Sequence, residues 1–444
     1  MNFETLTIEG VRKLYSKKII SFLELVEMQV NYIRDIENDI LSLVNFDEEL
    51  YLLKAKDLDS QPKVEGILKN IPFGVKDLID IEGMKTEANS KSLEGNISKK
   101  DSNIVTKLKN AGAFVSMKTN THEYAYGAVS PPTRNPWDLS KIPGGSSGGS
   151  AAATSSGIVL GSLGSDTAGS IREPAAMCSV VGFKPTYNWT SLSGIIPLAW
   201  TLDVVGPITK TISDCAIVFE ALSDTYLNTD VAKIGTKYKI GILEEYFSPM
   251  EKQVSDSYNN SIKMLEETFT CNKVSSWDVE EVISTIFVIL TAESAAFLDK
   301  KISKNPNNFG GDVKQFVEMG KGFSSTDYIN SQRARKVITK KVDTLFNEYD
   351  FLLAPAQLIS APSPDADTLI IDGNELPRDI NLIKPLVLSS LCGYPSISIP
   401  FMKMKNGQYF SIQVIGKRND DSKLLDFAKL LEKEFDLKYV NPLV

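Results

Sequence analysis

Residues 144–174 read GGSSGGSAAATSSGIVLGSLGSDTAGSIREP, and the interpretation of the whole chain starts from this stretch. It is rich in glycine and serine, but a flexible linker has no apolar residues to bury. Here residues 151–153 (AAA) and 158–160 (IVL) interrupt the polar sequence. Glycines let a backbone approach another molecule closely, and consecutive N–H groups can surround negative charge. The stretch therefore predicts a folded loop system that meets a ligand.

Strand-like and helix-like patterns alternate through this stretch. Residues 150–156 are rich in alanine and predict a helix, which Gly157 ends. Residues 158–163 predict a central strand and residues 164–169 a loop, after which Ser170 opens the next helix. Such alternation predicts α/β layering.

The same alternation continues on both sides. Further predicted strands cover residues 71–76, 113–117, 238–243, 351–355, 396–400 and 410–415. Further predicted helices cover residues 21–43, 104–111 and 422–434, and residues 255–347 are predicted to be mostly helical, with a loop at 305–312. No Pro/Ser-rich linker separates these parts, so we expect one domain over residues 1–444. Its parts are a core with N-terminal helices (1–224), a mostly helical middle section (225–350) and C-terminal strands with a helix (351–444).

The composition is that of an ordinary globular protein and argues against several functions. Of the 444 residues, 42% are hydrophobic and 23% are charged. The net charge of -8 argues against a broad nucleic-acid-binding face, so no direct nucleic-acid partner is expected. The N-terminus lacks the apolar core of a signal peptide, and no apolar run approaches the roughly 20 residues of a membrane span. We expect a cytoplasmic protein without a membrane partner.

Metal, redox and phosphate chemistry find little support in the sequence. The four cysteines are scattered without a CxxC pair, which predicts buried or free thiols: they are Cys178, Cys215, Cys271 and Cys392. His122 is the only histidine, so a zinc site built on histidines, and a metal site in general, is not expected. A phosphate-binding loop needs GxxxxGK[ST], and no lysine follows these glycines until Lys184.

Two serines and a lysine make a nucleophilic hydrolase the sharpest hypothesis. The hydroxyl of Ser170 can attack a carbonyl carbon if a base accepts its proton. Lys76 ends the strand at 71–76 and can be that base when it is neutral, which burial and hydrogen bonds to hydroxyls favour. Ser146 would relay the proton between Lys76 and Ser170. The loop at 167–170 would supply N–H groups for the oxyanion.

Other interpretations stay open on these residues alone. His122 can serve as the base of a Ser-His-Asp arrangement, although residues 120–124 around it show no feature that marks one. The glycine-rich loop can also be only a tight turn, with Lys76 a surface charge. A non-catalytic scaffold would be favoured if Lys76, Ser146 or Ser170 were missing, and all three are present.

The chain resembles the amidase signature family, serine hydrolases that act on amide carbon–nitrogen bonds through a Ser–cis-Ser–Lys triad. The similar motifs lie at residues 74–77 (GVKD), 118–120 (KTN), 134–138 (RNPWD), 144–150 (GGSSGGS), 164–172 (GSDTAGSIR), 182–186 (GFKPT) and 202–207 (LDVVGP). Weaker similarity runs through residues 245–247, 328–335 and 352–355, so most of the chain is covered. The resemblance implies an α/β fold whose large mixed central β-sheet is covered by helices on both faces.

By position, the resemblance assigns roles to particular residues. Ser170 matches the nucleophile, Ser146 the cis-serine that follows Gly145, and Lys76 the base. Further matches are an oxyanion and substrate-binding group (Ala125, Thr167, Ala168, Gly169 and Ser170) and a supporting group (Ser147, Asp166 and Arg172). Ala168 stands where many members have glycine. It would cost about 1–2 kcal/mol if that position required a positive φ.

The resemblance implies a two-step acyl transfer that needs no cofactor. Ser170 attacks the amide carbon, Ser146 and Lys76 pass the proton to the departing amine, and water releases the acid. Residues 121–128 (THEYAYGA) look more like stand-alone amidases than like the glutaminase subunits of tRNA-dependent amidotransferases, which need partner subunits. Allophanate and other urea-derivative hydrolases share the triad and are a further alternative.

The resemblance also implies a class of substrate and an oligomeric state. We expect a small-molecule amide as substrate and a homodimer as the assembly. The acyl and amine pockets should be lined by the helical middle section and by C-terminal loops around residues 389–394.

Overall fold

The computed structural model describes residues 2–61, 65–223, 238–243, 247–274, 278–371 and 373–444. Its strands, in chain order, are β1 (Leu43–Val44), β2 (Pro72–Lys76), β3 (Phe114–Thr119), β4 (Gly161–Asp166), β5 (Val181–Lys184), β6 (Val204–Thr209), β7 (Lys239–Leu243), β8 (Thr270–Val274), β9 (Phe351–Pro355), β10 (Thr368–Ile371), β11 (Asn374–Pro377), β12 (Ser396–Lys403) and β13 (Tyr409–Ile415).

The helices surround these strands in the sequence. In chain order they are α1 (Ile8–Ser16), α2 (Phe22–Ile40), α3 (Glu48–Ser60), α4 (Asn103–Asn110), α5 (Gly148–Ser155), α6 (Arg172–Met177), α7 (Ile212–Leu222), α8 (Lys252–Glu266), α9 (Val279–Lys304), α10 (Gly311–Lys321), α11 (Ser325–Leu345), α12 (Arg378–Ile383), α13 (Val387–Cys392) and α14 (Asp421–Glu434).

Within the described residues, eleven strands form one mixed sheet. Its spatial order is β1-β3-β2-β4-β6-β5-β12-β13-β9-β7-β8, and β10 and β11 form a separate hairpin. Strands β2, β3 and β4 run parallel to one another, whereas β5 and β6 pair antiparallel with their neighbours. The predicted large mixed α/β sheet is therefore confirmed, and it takes strands from the beginning, middle and end of the chain.

The parallel centre of the sheet places two predicted site segments at one edge. Strand β2 is buried along its whole length, which fits a mostly apolar strand covered on both faces. Because β2 and β4 are parallel, with Gly74 opposite Ser162 and Val75 opposite Leu163, their carboxyl ends lie on the same side. Lys76 and the turn after Asp166 therefore meet there.

Residues 144–174 fold as helix–strand–turn–helix, and the strand begins three residues later than predicted. The predicted helix is found as α5, and every residue of it is buried. The strand predicted at 158–163 is instead β4, three residues later, so Gly164 to Asp166 belong to the sheet and not to a loop. The apolar run 158–160 misled the prediction because these residues are core residues before the strand begins.

The predicted middle section is helical, as α8 to α11 show. A strand was missed there: β8 is polar and mostly exposed, since it lies at the edge of the sheet beside β7. The loop predicted at 305–312 contains a 3-10 turn at Pro306–Asn308 and gives way to α10 at Gly311. The other predicted helices and strands are found within a few residues of their expected ends.

The expectation that no apolar run approaches the length of a membrane span needs a correction at helix α9. Among the described residues it is the one helix that is long and apolar enough to cross a membrane, judged by length and composition alone. Slightly more than half of its most apolar window, 56%, is buried inside the protein. The helix packs against α10, α11 and α13, with Ile286, Ile289 and Leu298 in the core.

Close backbone contact in the fold predicts a stability effect for Gly149 in α5. A Cβ atom at this position would lie 2.4 Å from the backbone nitrogen of Asn120 and 2.5 Å from its carbonyl oxygen. Gly149→Ala should therefore lower the free energy of unfolding by at least about 1–3 kcal/mol, because backbone must move. The denaturation midpoint measures this effect. Gly311→Ala is the matched control, since its Cβ would meet nothing within 4 Å. Equal midpoints for the two variants would contradict the packing argument.

Candidate active site

The amine of Lys76 lies under three serine hydroxyls at the carboxyl edge of the sheet. Lys76 is completely buried. Its Nζ donates to Ser146 Oγ at 2.8 Å, to Ser147 Oγ at 2.9 Å and to Ser165 Oγ at 2.9 Å. Three hydroxyls thus match the three protons of an ammonium group. Lys76 is not a surface charge, so that interpretation is wrong.

Burial also changes the acidity of this amine. It lowers the pKa of Lys76 to about 7, against the opposite effect of the nearby carboxylates Asp166 and Asp203. A group with a pKa near neutrality exists in both protonation states at physiological pH. When the amine is neutral it carries a lone pair, and a neighbouring hydroxyl can donate to it.

Of the three hydroxyls around Lys76, that of Ser147 is committed elsewhere. Ser147 Oγ donates to the carbonyl oxygen of Ser165 at 3.1 Å and accepts from the Ser165 N–H at 3.2 Å. The hydroxyls of Ser146 and Ser165 are therefore the ones that can give a proton to the lone pair. Ser147 serves as a spacer between the two segments, which agrees with a supporting position.

The segment that carries Ser146 is held from both sides. The Gly145–Ser146 peptide bond is cis, as the resemblance implies. The carbonyl oxygen of Ser146 accepts from the His122 N–H at 3.2 Å and from Ser130 Oγ at 3.0 Å. The N–H of Gly145 donates to Glu173 Oε2 at 2.7 Å. These contacts hold the backbone of Gly145 and Ser146 in place.

Ser170 follows the turn after β4 and faces a cavity of about 570 Å³. Its carbonyl oxygen accepts from the Ser147 N–H at 3.3 Å, which ties the two serine segments together. Ala125, Thr167 and Ala168 line the same cavity beside Ser170. The structure therefore brings the expected nucleophile and most of the expected oxyanion group to one wall.

Gly169 is the member of the expected oxyanion group that the structure places differently. Its N–H donates to Asp166 Oδ1 at 2.8 Å, so it is not available to a substrate oxygen. Gly169 has a φ of +129°, and a Cβ there would lie 2.7 Å from Leu386. The N–H groups of Thr167, Ala168 and Ser170 remain as the candidate oxyanion donors.

The strain expected at Ala168 is absent and appears at a different position. Ala168 is not among the positive-φ residues of the described chain. Tyr124 and Ala125 are, with φ of 48° and 64°. Left-handed conformations of non-glycine residues are costly and concentrate at functional sites. Ala125 is thus held in a strained turn that presents it to the cavity.

A buried ion pair fixes the turn between β4 and α6. Arg172 Nε donates to Asp166 Oδ2 at 2.9 Å, and Arg172 Nη2 donates to Asp166 Oδ1 at 3.0 Å. Burial alone would raise the pKa of Asp166, but the Arg172 guanidinium outweighs it and the pKa is lowered. Asp166 also accepts the N–H groups of Gly169 and Ile171. Both residues support the turn, as their sequence positions imply.

The Arg172 guanidinium is bound on its other side by the C-terminal part of the chain. Nη1 donates to Ser389 Oγ and Gln413 Oε1, both at 2.6 Å, and Nη2 donates to Ser390 Oγ at 2.6 Å. Residues around 389–394 were expected to be loops that line the substrate pockets. They instead form the end of α13 and the turn after it, and Ser389 and Ser390 lie behind the site. The hydroxyls of these two serines serve as hydrogen-bond acceptors for the buried Arg172 guanidinium.

Three buried residues near the site were not expected from the sequence. Ser165 contacts Lys76, as described above. Asp203 accepts from Thr167 Oγ1 at 2.6 Å, and burial raises its pKa to about 6. Burial also raises the pKa of Glu173, whose carboxyl group accepts the N–H of Gly145, well above its usual range. Asp203 and Ser165 both lie inside family-like motifs, which was the available signal.

The imidazole ring of His122 is engaged outside the group of Lys76 and the serines. Its Nε2 lies 3.0 Å from Asp312 Oδ2, and its Nδ1 lies 3.2 Å from the carbonyl oxygen of Glu123. Both ring nitrogens are thus occupied, and the described contacts of the ring do not include Ser170. The Ser-His-Asp alternative is therefore not supported.

The walls of the cavity come mostly from the helical middle section, as expected. Helix α9 supplies Ile286 and Phe287, and α10 supplies Phe316 and Met319. The C-terminal contribution comes from α12 and from Val387 at the start of α13. The weakly similar residues Glu245 and Tyr246 lie outside the described residues.

Comparison with known proteins identifies relatives that cover nearly the whole chain. The family model Amidase matches residues 24–425. Among the glutamyl-tRNA(Gln) amidotransferase A subunits, that of Alkaliphilus metalliredigens is 32% identical to this chain, over 98% of each chain. Among solved structures, an amidase superposes with a TM-score of 0.90 at 28% identity, covering 97% of this chain and all of that one. The same amidotransferase component from Thermotoga maritima gives 0.81 at 30% identity, covering 100% and 97%.

These similarities in sequence and in fold span nearly the whole chain. The chain belongs to the amidase signature family. It is thus a hydrolase that acts on carbon–nitrogen bonds.

The Arg172–Asp166 pair predicts a large stability effect. Arg172→Met leaves the Asp166 carboxylate buried without its cation, which should lower the free energy of unfolding by about 3–5 kcal/mol. Denaturant titration followed by circular dichroism measures the change. Adding Asp166→Asn to Arg172→Met should recover part of the loss, because the stranded charge is gone.

An exposed ion pair provides the control. Arg34 pairs with Glu48 on the surface, where such a pair contributes about 1 kcal/mol or less. If Arg172→Met is no more destabilising than Arg34→Met, the buried pair does not hold the turn as argued.

Proposed function

We propose that this chain is a serine amidase that hydrolyses small amides bearing an apolar acyl group. The observation that carries the proposal is the group formed by Lys76 and its three serines, which lies beside Ser170 at the wall of an apolar cavity. In this proposal Ser170 is the nucleophile, Ser146 the proton relay and Lys76 the base.

The proposed reaction follows from these positions. Neutral Lys76 takes a proton from Ser146, which takes the proton of Ser170 as the Ser170 oxygen attacks the amide carbon. The N–H groups of Thr167, Ala168 and Ser170 stabilise the oxyanion, and the relayed proton goes to the leaving nitrogen. Water then attacks the acyl-enzyme with the same residues as the base, and the acid leaves.

The lining of the cavity supports an apolar acyl group. Side chains of α9, α10 and α12 cover most of the wall, among them Phe287, Phe316 and Ile383. The one cation among the described lining residues, Arg378, already pairs with Asp379 at 2.7 Å. Asp312 is likewise paired with His122. An apolar chain would gain about 25 cal/mol for each Å² buried there. A zwitterion would need an unpaired carboxylate and an unpaired cation, and although Asp367 has no ion pair among the described residues, the one lining cation is already paired.

The glutaminase component of an amidotransferase is the second candidate. The observation in its favour is similarity at 30–32% identity to several glutamyl-tRNA(Gln) amidotransferase A subunits over essentially their full lengths. Such a role would require glutamine as the amide. It would also require partner subunits. The apolar cavity favours the first candidate, and a substrate panel separates the two.

The first test is amide turnover by the purified chain. Ammonia release should be seen with hexanamide and benzamide and not with glutamine. Ser170→Ala should lower the rate by about 10⁵-fold or more, as loss of a serine nucleophile does. Ser140→Ala is the control, since Ser140 is exposed and its hydrogen bonds within the described residues go to Asp138. Turnover confined to glutamine would support the second candidate, and full activity of Ser170→Ala would overturn the mechanism.

The same panel tests the role of the cavity wall. Phe316→Ala should raise KM for hexanamide and benzamide about 10-fold or more, because lost apolar contact in a pocket is worth about 1–3 kcal/mol. Acetamide lacks a chain or ring that could pack on this wall, so its kinetic constants are expected to change least and serve as the internal control. Equal changes for all three amides would show that Phe316 acts on stability instead.

The lowered pKa of Lys76 predicts a pH dependence. The base must be neutral, and an amine is neutral above its pKa, here about 7. Below that pH, kcat/KM should fall about tenfold per unit, and above it the value should level off. Lys210→Met should keep this profile, although burial also lowers the pKa of Lys210 to about 7, because Lys210 holds the carbonyls of Glu4 and Leu6 elsewhere. A flat profile between about pH 5.5 and 8 would contradict Lys76 as the base.

A further inference from the structure

A second cavity, separate from that of Ser170, is lined by positive charge. It measures about 360 Å³, and its described lining residues are Tyr187, Gln332, Arg335, Lys336, Thr339, Cys392, Gly393 and Arg418. Three of these are cations and none is acidic. The whole chain, by contrast, carries a net charge of -8. A concentration of positive charge in an acidic protein needs a specific explanation.

Helix α11 provides one wall of this second cavity. Gln332, Arg335, Lys336 and Thr339 are spaced at intervals of three and four residues, which places them on one face of the helix. The other lining residues include Arg418, after β13, and residues at the end of α13. Cations therefore approach the space from two different elements, and not from one helix alone.

The two guanidinium groups have no carboxylate partner within the described residues. Arg335 lies over the ring of Tyr187, with 5.7 Å between its Cζ and the ring centroid. Arg418 lies over Tyr394 at 5.3 Å and donates from Nη2 to the Cys392 carbonyl at 2.7 Å. These contacts orient the cations without neutralising them. Burial lowers the pKa of Arg335, and Arg418 acts in the same direction, as expected for two cations close together.

Glu293, whose charge acts on Arg335, and Asp343 on helix α11 both accept hydrogen bonds from other groups. Glu293 accepts from Thr201 and from the Tyr328 hydroxyl at 2.8 Å. Asp343 accepts from the Tyr394 hydroxyl at 2.5 Å. Neither lines the second cavity. The charge of Arg335, Lys336 and Arg418 is therefore available to a molecule that enters it.

We propose that the second cavity binds a small anion with two or more carboxylate or phosphate groups, held between Arg335 and Arg418. Planar guanidinium groups bind both kinds of oxyanion through paired hydrogen bonds. Gln332 and Thr339 add polar groups on the α11 wall. Two guanidinium groups supplied by different elements match a ligand with two charged groups better than a single carboxylate.

The proposed site also meets the framework of the catalytic site. Helix α13 begins at Val387, which lines the cavity of Ser170, and ends at Cys392, which lines the second cavity. Between them, Ser389 and Ser390 bind Arg172. A ligand that contacts the end of α13 should therefore stabilise the folded protein.

Calorimetric titration of the full chain tests the site, with pyrophosphate and citrate as probes at constant ionic strength. We expect binding of at least one probe to the wild-type chain, accompanied by a rise in Tm. Arg335→Gln and Arg418→Gln should each weaken it about tenfold or more, which corresponds to about 1.4 kcal/mol. Arg333→Gln is the matched control, because Arg333 lies on the same helix but is exposed and outside the cavity. Its affinity should equal that of the wild type.

The remaining arms identify the ligand and separate this site from the amidase site. Binding of pyrophosphate alone would indicate a phosphate-bearing ligand, and binding of citrate alone a carboxylate-bearing one. Ser170→Ala should bind as well as the wild type whether or not the proposed reaction is correct. If Arg335→Gln fails to fold, Lys336→Gln changes an exposed member of the site. No binding of either probe at about 1 mM, or binding that the Arg335, Lys336 and Arg418 variants leave unchanged, would overturn the proposal.

Discussion

The burial of the Lys76 amine is the constraint on which the rest of this structure depends. Moving the pKa of a lysine from 10.5 to about 7 corresponds to about 5 kcal/mol, at about 1.4 kcal/mol for each pH unit. A fold can hold such a group only if its hydrogen bonds are satisfied. Ser146, Ser147 and Ser165 satisfy them, and each comes from a segment that must pass within 3 Å of the amine. The glycines around these serines allow that approach.

The same constraint explains why a buried ion pair, formed by Asp166 and Arg172, lies near Lys76. A free Asp166 carboxylate would favour protonated Lys76 and would itself be unstable in the core. Arg172 compensates that carboxylate, while Asp166 accepts the N–H groups that shape the turn before Ser170. Arg172 in turn needs acceptors, which Ser389 and Gln413 provide. The C-terminal part of the chain thus completes a site whose motifs lie in the first half.

The sequence predicts features that depend on neighbouring residues, and it does not reveal contacts between residues far apart in the chain. Helix α2 was predictable because its apolar residues repeat with the helical period and Ser21 forms a capping box with Glu24. Strand β4 was placed three residues early because apolar residues marked the core and not the strand. Ser165 and Asp203 could not be assigned from spacing, since their contacts to Lys76 and Thr167 join residues 89 and 36 positions apart. The role of Gly169 could not be predicted without knowing that the Asp166 carboxylate accepts the Gly169 N–H.

The fold by itself does not choose among the activities of the family. An amidase and an amidotransferase component superpose on this chain with TM-scores of 0.90 and 0.81 at nearly equal identity. Function is decided by the site and not by the architecture. The residues at 144–174 set the reaction, because they meet Lys76. The residues of α9, α10 and α12 set what can approach Ser170, because they form the cavity wall. These helices lie largely outside the motifs that carry the family resemblance, so the physical chemistry of Phe287, Phe316 and Ile383 is the better guide to the substrate.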